Sequence, residues 1–201
     1  MCYKFHIGNP AELPTRTMTK INTVTKSRKP LTCRACRAEL PVGSSYTWVA
    51  HFRQPKMVHC TSCSWKQSEL HGSGLQSQAW EAIETMVANL QGWDGINNDW
   101  DDVKSWAEDC ESALNEVHDE YDNACSSFEN GCPPSQLEEL RDSCSNAAGD
   151  CDIDCCASDW GEDHCDELTG DELPREGDEF DAWVSETRDS LISHFEGLLD
   201  F

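Results

Sequence analysis

The stretch Cys33-Arg34-Ala35-Cys36, together with Cys60-Thr61-Ser62-Cys63, determines the local fold of the first third of this chain. Two residues separate the cysteines of each pair, and 23 residues, 37–59, separate the pairs. Two intervening residues let one tight turn present both sulfurs to a single ion, and two such pairs supply a tetrahedral ligand set. The spacing therefore predicts one structural Zn²⁺ bound by Cys33, Cys36, Cys60 and Cys63.

The sequence between and after the pairs indicates a small β-hairpin followed by a helix. Residues 41–44, Pro-Val-Gly-Ser, are typical of a turn, and residues 46–52 are β-branched and aromatic enough for a strand. Residues 53–56 then predict a loop, 57–59 a return strand, and 61–70 a short helix. We therefore expect residues 31–72 to form a zinc-bound β-hairpin/helix module.

Paired cysteines also form disulfides in secreted proteins, so the expected compartment matters. Residues 1–10 contain no apolar segment after a basic start, which argues against a secretory signal. The chain contains no run of 18 apolar residues, so we expect no membrane-spanning helix and no membrane partner. The expected location is intracellular, in the cytoplasm, nucleoid or nucleus, where thiols stay reduced and favour metal binding.

The net charge of −23 is distributed very unevenly along the chain. Residues 1–66 contain 11 Lys and Arg against Glu12 and Glu39, whereas residues 67–201 contain four basic residues against 36 acidic ones. A basic segment suits a polyanion, and an acidic domain suits a basic protein or the basic segment of its own chain. A uniformly acidic, halophilic surface would not leave the first third basic.

The chain is predicted to contain three regions. Residues 1–30 are polar, rich in Thr, Lys and Pro and without a sustained period, so we expect a basic, mostly extended arm. The break at 71–74, His-Gly-Ser-Gly, coincides with the change of charge sign and predicts a boundary between a finger, 31–72, and an acidic domain, 73–201.

Apolar residues recur at helical spacing in four segments of the acidic domain, at 80–90, 103–128, 137–155 and 180–198. Ser135-x-x-Glu138 predicts a capping box at the start of the third segment, and the acidic, glycine-containing stretch 158–177 predicts a loop. The expected fold class is α+β, with a small zinc-bound β-hairpin/helix module followed by an acidic all-α helical bundle.

Residues 20–70 resemble the zinc finger of poly(ADP-ribose) polymerases and DNA ligase III, the PARP-type finger. The resemblance rests on Thr25-Lys26-Ser27-Arg28 before the first pair, on Leu40-Pro41-Val42-Gly43 after it, and on His59-Cys60-Thr61-Ser62-Cys63-Ser64-Trp65-Lys66. The second pair of that family is His-x2-Cys, so Cys60 stands in place of the family His, and His59 lies beside it. The acidic half resembles no polymerase or ligase catalytic domain.

The resemblance implies binding of DNA ends, nicks and gaps through phosphates and through stacking on exposed bases. It assigns Phe52 to stacking, with Arg53 and Lys56 beside it, and assigns phosphate contacts to Lys26, Arg28, Lys29, Arg34 and Arg37. A basic groove with an exposed aromatic also suits sequence-tolerant nucleic-acid binding on general grounds. The alternatives are a solvated basic arm and burial of Phe52 or Trp48 in a small core, which is the favoured interpretation for Trp48.

Three interpretations stay open for the eight cysteines of the acidic half, which are Cys110, Cys125, Cys132, Cys144, Cys151, Cys155, Cys156 and Cys165. They are small buried hydrophobes, or they form disulfides across a helical hairpin, with Cys125 near Cys144 and Cys110 near Cys155 or Cys156. The third interpretation is a second metal site formed by Cys151, Cys155, Cys156, His164 and Cys165, although that spacing matches no zinc motif.

The sequence contains no phosphate-binding glycine loop, nucleophile elbow or other catalytic constellation, so we do not expect an enzyme. The expected function is that of a DNA-binding adaptor, whose acidic domain binds a basic protein or inhibits the finger. The alternative is an acidic DNA mimic of viral origin that inhibits a DNA-binding enzyme and uses zinc only structurally. An enzyme with a second metal site is the third hypothesis.

Overall fold

The computed structural model describes residues 19–51, 54–71, 74–128, 133–154, 156–164 and 175–199. The chain divides into two compact units, Met1–Gly72 and Ser73–Phe201. Small antiparallel sheets lie in the first unit and helices make up the second, so the chain is α+β with a helical C-terminal region. No helix in the described ranges combines the length and apolar character needed to cross a bilayer.

Within residues 19–51 and 54–71, the first unit has two antiparallel sheets and one short helix. In chain order its elements are β1 (Asn22–Val24), β2 (Leu31–Thr32), β3 (Glu39–Leu40), β4 (Tyr46–Val49), β5 (Met57–Cys60) and α1 (Gln67–Leu70). The larger sheet has the order β1-β4-β5, and β2 pairs with β3. Tyr46 lies opposite both Val24 and Cys60, so these three residues mark one end of the larger sheet.

Residues 22–30 differ from the extended arm expected from their composition. β1 pairs with β4, and the backbone N–H of Ser27 donates to the carbonyl of Ser44 over 2.8 Å. The Ser27 hydroxyl donates to the Pro41 carbonyl over 2.9 Å and accepts from the N–H of Gly43 over 3.0 Å. A strand of three residues is too short to show a period, which is why the sequence pattern did not reveal it.

The expected order of hairpin and helix is observed, with shifted boundaries. α1 begins at Gln67 instead of residue 61, because residues 61–63 belong to the turn of the second cysteine pair and residues 64–66 are not helical. The ring of His51 lies 2.8 Å from the Glu69 carbonyl and 3.2 Å from the Thr19 hydroxyl. These contacts attach α1 to the segments that flank the sheet.

Four long helices and one short one lie in the described residues of the second unit. They are α2 (Gly74–Gln91), α3 (Trp100–Ser126), α4 (Ser135–Gly149), α5 (Trp160–Asp163) and α6 (Asp178–Glu196). α3 packs against α2 and α4, and α2 also packs against α6. The long helices coincide with the four segments of helical period, whereas α5 falls in the stretch expected to be a loop.

A cluster of aromatic side chains forms one part of the core of the second unit. Trp93, Trp100, Trp160 and Phe180 are almost fully buried, and Trp183 contacts each of them with ring centroids 5.5–6.4 Å apart. The indole N–H of Trp93 donates to the Asn98 carbonyl over 2.9 Å. Burial of such large rings stabilises this unit, and it explains why Trp160 begins an ordered turn inside an otherwise acidic stretch.

Helix starts differ from the expected capping pattern at one place. Ser135 is the first residue of α4 and Pro134 occupies the N-cap without a side-chain bond, so the capping box predicted at Ser135 and Glu138 is wrong. A capping box is present at α3, where the Asp99 carboxylate accepts from the N–H groups of Asp101 and Asp102. Proline at 134 lacks a backbone N–H and takes the position that a capping hydroxyl would need.

Candidate metal centre

The first cysteine pair lies in the tight turn between β2 and β3. The N–H of Cys33 donates to the carbonyl of Ala38 over 2.9 Å, and the N–H of Arg37 donates back to the carbonyl of Cys33 over 3.0 Å. Arg37 closes this turn in the left-handed region, with φ of 62°. We call residues 33–38 the first knuckle.

The second cysteine pair begins at the last residue of β5. The N–H of Cys63 donates to the carbonyl of Cys60 over 3.2 Å, which turns the chain so that both sulfurs lie on one side. The first knuckle attaches to the same strand, because the N–H of Arg34 donates to the carbonyl of Val58 over 2.8 Å. Backbone bonds therefore bring together two pairs that are 23 residues apart in sequence.

The four sulfur atoms lie within 4.8 Å of one another. The Sγ–Sγ distances are 3.9 Å for Cys33 and Cys63, 3.8 Å for Cys36 and Cys60, and 3.4 Å for Cys60 and Cys63. A tetrahedral ion with metal–sulfur bonds of about 2.3 Å requires sulfurs about 3.8 Å apart. The donor set and its spacing therefore fit a four-coordinate metal ion, and these four cysteines could hold one.

The environment of Cys33 favours its thiolate. Burial raises the pKa of this thiol, but hydrogen bonds from the backbone N–H groups of Cys36 and Cys60 outweigh the burial and lower the pKa to about 6. The N–H of Cys60 lies 3.3 Å from the Cys33 sulfur. In contrast, side-chain hydrogen bonding to Cys60 and Cys36 raises the pKa of Cys63 to about 12. A cation bound by the four thiols would displace their protons.

His59, the neighbour of Cys60, does not face the sulfur cluster. Its Nδ1 lies 3.2 Å from the Ser64 carbonyl and its Nε2 lies 3.3 Å from a carboxylate oxygen of Glu69. Adjacent residues of a strand point to opposite faces, so Cys60 and His59 cannot both serve as ligands here. The described geometry supports Cys60 as the ligand and gives His59 a supporting role.

Trp65 supports the cluster in a way that the spacing of the cysteines did not reveal. Its indole N–H donates to the Thr47 hydroxyl over 3.0 Å, and its ring stacks on the imidazole of His59. These contacts link the chain after Cys63 to β4 and β5. The sequence signal was the aromatic residue two positions after the last cysteine.

The five residues predicted to bind phosphate are exposed, and they lie at the end of the first unit that carries the four cysteines, which we call the cluster end. Val24 lies opposite Tyr46, so the chain from Lys26 to Lys29 continues from β1 at the end where Cys60 lies. Arg34 and Arg37 belong to the first knuckle. Arg34 approaches Glu69 at 3.7 Å with its side chain 62% exposed. Lys26, Arg28, Lys29 and Arg37 form no ion pair with any other described residue.

Of the remaining predicted contacts, Lys56 lies just before β5, at the opposite end of the hairpin. Lys56 is exposed, and its ammonium lies 3.8 Å above the Trp48 ring. Trp48 is half-buried beneath it, so the core packing favoured for this residue is only partial. Phe52 and Arg53 lie outside the described residues.

The described cysteines of the second unit are free thiols, as are those of the first. Arg141 lies 3.5 Å from Asp122 and Lys104 lies 3.8 Å from Asp154, so α3 and the α4 segment run antiparallel. In this register Cys144 lies roughly two helical turns from Cys125, and the pairing considered for these two is not observed. Cys110 instead contacts the thiol of Cys151.

The module cysteines form the one cluster of metal-binding spacing in the described part of the chain. Of the second site considered in sequence, Cys155 and Cys165 lie outside the described residues, and His164 stacks on Trp160 with ring centroids 3.7 Å apart. Comparisons with protein-family models, with curated proteins and with solved structures find no match to this chain.

Proposed function

We propose that the first unit is a zinc finger that binds nucleic acid, preferentially DNA, and that the acidic second unit recruits a basic protein to it. Four thiolates at tetrahedral spacing suit Zn²⁺, which favours sulfur donors and imposes no other geometry. The metal would be structural, because all four of its positions are filled by protein side chains. The resemblance to the PARP-type finger supports DNA ends, nicks or distorted sites as the target.

The observation that carries the proposal is the clustering of exposed cations beside the sulfur site. The segment 26–29 contributes three, Lys26, Arg28 and Lys29, and the first knuckle contributes Arg34 and Arg37. Arg34 and Arg37 lie on the backbone turn that presents Cys33 and Cys36. Metal binding would therefore fix the position of two cations, and loss of the metal would weaken nucleic-acid binding without altering any basic residue.

The test is fluorescence anisotropy of the full-length protein with nicked, blunt-ended and single-stranded DNA over a series of salt concentrations. We expect affinity to fall steeply with salt, since each phosphate contact contributes about −0.9 to the slope of log K against log salt. Arg28→Gln should weaken binding and reduce that slope by about 1. Chelation of the metal should weaken binding further.

The matched control is Lys20→Gln, which removes an exposed cation two residues before β1, away from the cluster end. This variant should leave the salt slope unchanged. Absence of salt-dependent binding to all three DNA forms would refute the proposal. If the protein instead blocked a DNA-binding enzyme while binding no DNA, the acidic mimic would be the better hypothesis.

A further inference from the structure

The second unit contains a groove of about 670 Å³ between α2 and α3. Its lining residues recur every three or four positions on both helices, from Gln78 to Asn89 on α2 and from Trp106 to Glu120 on α3. The α3 side is therefore about 21 Å long at the helical rise of 1.5 Å per residue. That length matches four turns of a third helix lying between the two.

The floor of the groove is apolar and formed partly by small side chains. Met86 and Val117 are buried at its base, and Ala82 and Ala113 are half-buried beside them. Alanine at both positions keeps the groove open, because a larger side chain at either one would fill the space between the helices. An apolar floor between two helices is the kind of surface that takes the apolar face of an amphipathic helix.

The rim of the groove is acidic, and none of the described residues that line it is basic. Glu81 lies on the α2 side, and Asp109, Glu116 and Glu120 lie on the α3 side, all exposed. These four carboxylates form no ion pair with any described residue. Asp119 also lines the groove and lies 3.2 Å from the ring of His118. Such a rim repels nucleic acid and anionic lipid, and it attracts a ligand that carries positive charge beside an apolar face.

We propose that the α2–α3 groove binds an amphipathic, Lys/Arg-rich helix of a partner protein. The apolar face of that helix lies on Met86, Ala113 and Val117, and its flanking cations meet the carboxylates of both rims. This inference deepens the recruiting role proposed for the acidic unit and names its surface and ligand class. It depends on neither the metal nor nucleic-acid binding by the finger.

The test is anisotropy titration of full-length protein with a fluorescent 15-residue peptide of Leu and Lys arranged as an amphipathic helix. A second peptide has the same composition in scrambled order, which keeps the charge and removes the apolar face. We expect the amphipathic peptide to bind at least about ten-fold more tightly. Glu116→Gln combined with Glu120→Gln should weaken that binding about ten-fold, because both substitutions remove rim charge.

A matched control is Glu186→Gln combined with Asp189→Asn, which removes two exposed carboxylates from α6, outside the groove. It should change the affinity by less than about two-fold. Ala113→Leu should fill the apolar floor of the groove without changing its charge. Thermal unfolding, followed by circular dichroism, checks that each variant is folded. Equal binding of the two peptides, or an equal loss in the α6 variant, would show attraction by net charge alone and overturn the proposal.

DNA affinity measured on the same variants separates this inference from the function of the finger. We expect the groove variants to retain it. Discrimination between the peptides in a protein that binds no DNA would support the groove and refute the finger. Binding of DNA without any discrimination between the peptides would support the finger and refute the groove.

Discussion

The imidazole ring of His59 lies parallel to the indole of Trp65, with centroids 3.9 Å apart and planes within 4°. His59 is 1% exposed, so this stack forms part of the interior of a very small unit. Its two ring nitrogens face the Ser64 carbonyl and the Glu69 carboxylate. The histidine next to the second cysteine pair therefore supports the chain that follows the cluster and is not directed at the sulfurs.

The ligand role of Cys60 can be tested by substitution. Cys60→Ala leaves three thiolates and should reduce bound zinc well below one per chain in the presence of a competing chelator. Cys60→His restores a four-donor set of a kind common in zinc sites and should retain about one zinc per chain. Inductively coupled plasma mass spectrometry after gel filtration gives the stoichiometry.

His59→Phe is the companion variant, because it keeps an aromatic ring against Trp65 and removes both ring nitrogens. It should bind the same number of zinc ions per chain as the unmodified protein. Loss of zinc from a folded His59→Phe protein would identify His59 as a ligand and contradict the geometry described above.

Removal of the metal should affect the two units differently. Few of the described residues of the first unit are buried apolar side chains, so we expect its stability to depend on a bound metal, whereas the second unit has its own core. Titration with a chelator should therefore change the near-ultraviolet signal of Trp48 and Trp65 and leave the helical signal at 222 nm intact. Parallel loss of the helical signal would show that the second unit requires the metal.

The left-handed backbone at Arg37 gives a third prediction. A non-glycine residue at a φ of 62° is strained by about 1 kcal/mol, so Arg37→Gly should stabilise the first unit by up to that amount. Arg37→Val should destabilise it by about 1–2 kcal/mol, because a β-branched side chain tolerates this region poorly. Chelator competition at fixed zinc concentration measures both effects.

Ala38→Gly is the control for Arg37, since Ala38 is exposed and lacks a positive φ. It should weaken the unit by about 0.5–1 kcal/mol through backbone entropy. If Arg37→Gly weakened the unit by as much as Ala38→Gly, the strain at Arg37 would be negligible.

Gly95 is tightly surrounded in the second unit, so an added methyl group should be disruptive there. Its φ is +73°, and an added Cβ would lie 2.8 Å from side-chain atoms of both Phe180 and Val184. Gly95→Ala should destabilise the unit by about 2–4 kcal/mol, from backbone strain and overpacking together. Urea unfolding followed at 222 nm measures the change.

Gly149→Ala is the matched control. Gly149 is the last residue of α4, and a Cβ added there would meet nothing within 4 Å. It should stabilise the unit by about 0.4–1 kcal/mol. A similar response of the two variants would mean that the contact between Gly95 and α6 is not formed in solution.

Asp94 gives a prediction about acid. Hydrogen bonds from the Asn97 side chain, the Asn97 N–H and the Ile96 N–H lower the pKa of the Asp94 carboxyl from 3.8 to about 2. A depressed pKa in the folded state means that the carboxylate stabilises the fold above about pH 3.8 and loses this effect as the pH falls towards 2. Asp94→Asn should therefore reduce the dependence of stability on pH over that interval.

Thermal unfolding of both proteins from pH 5 to pH 2 checks this prediction. Glu186 takes part in none of these hydrogen bonds, so Glu186→Gln should show the same pH dependence of stability as the unmodified chain. An identical pH dependence in Asp94→Asn would show that the turn at 94–97 is not held by its carboxylate.

Several elements could be predicted from residue pattern because the relevant interactions are local. The spacing of Trp80, Ile83, Val87 and Leu90 predicted α2, and long helical stripes predicted α3 and α6. β1 and α5 were missed, since three or four residues show no period and are held by distant partners. Ser135 was misjudged because a capping hydroxyl and a helix-starting proline give competing signals, and only the backbone decides between them.

The sequence by itself determined which four cysteines could hold a metal, because a Cys-x2-Cys turn is defined by chain geometry over four residues. It also determined the separation of basic and acidic charge, which composition alone contains. Only the tertiary structure decided that Cys60 and not His59 faces the cluster, since strand register fixes which face each side chain takes. The acidic groove is likewise tertiary, because two helices that are separate in sequence must pack before their small residues leave a space between them.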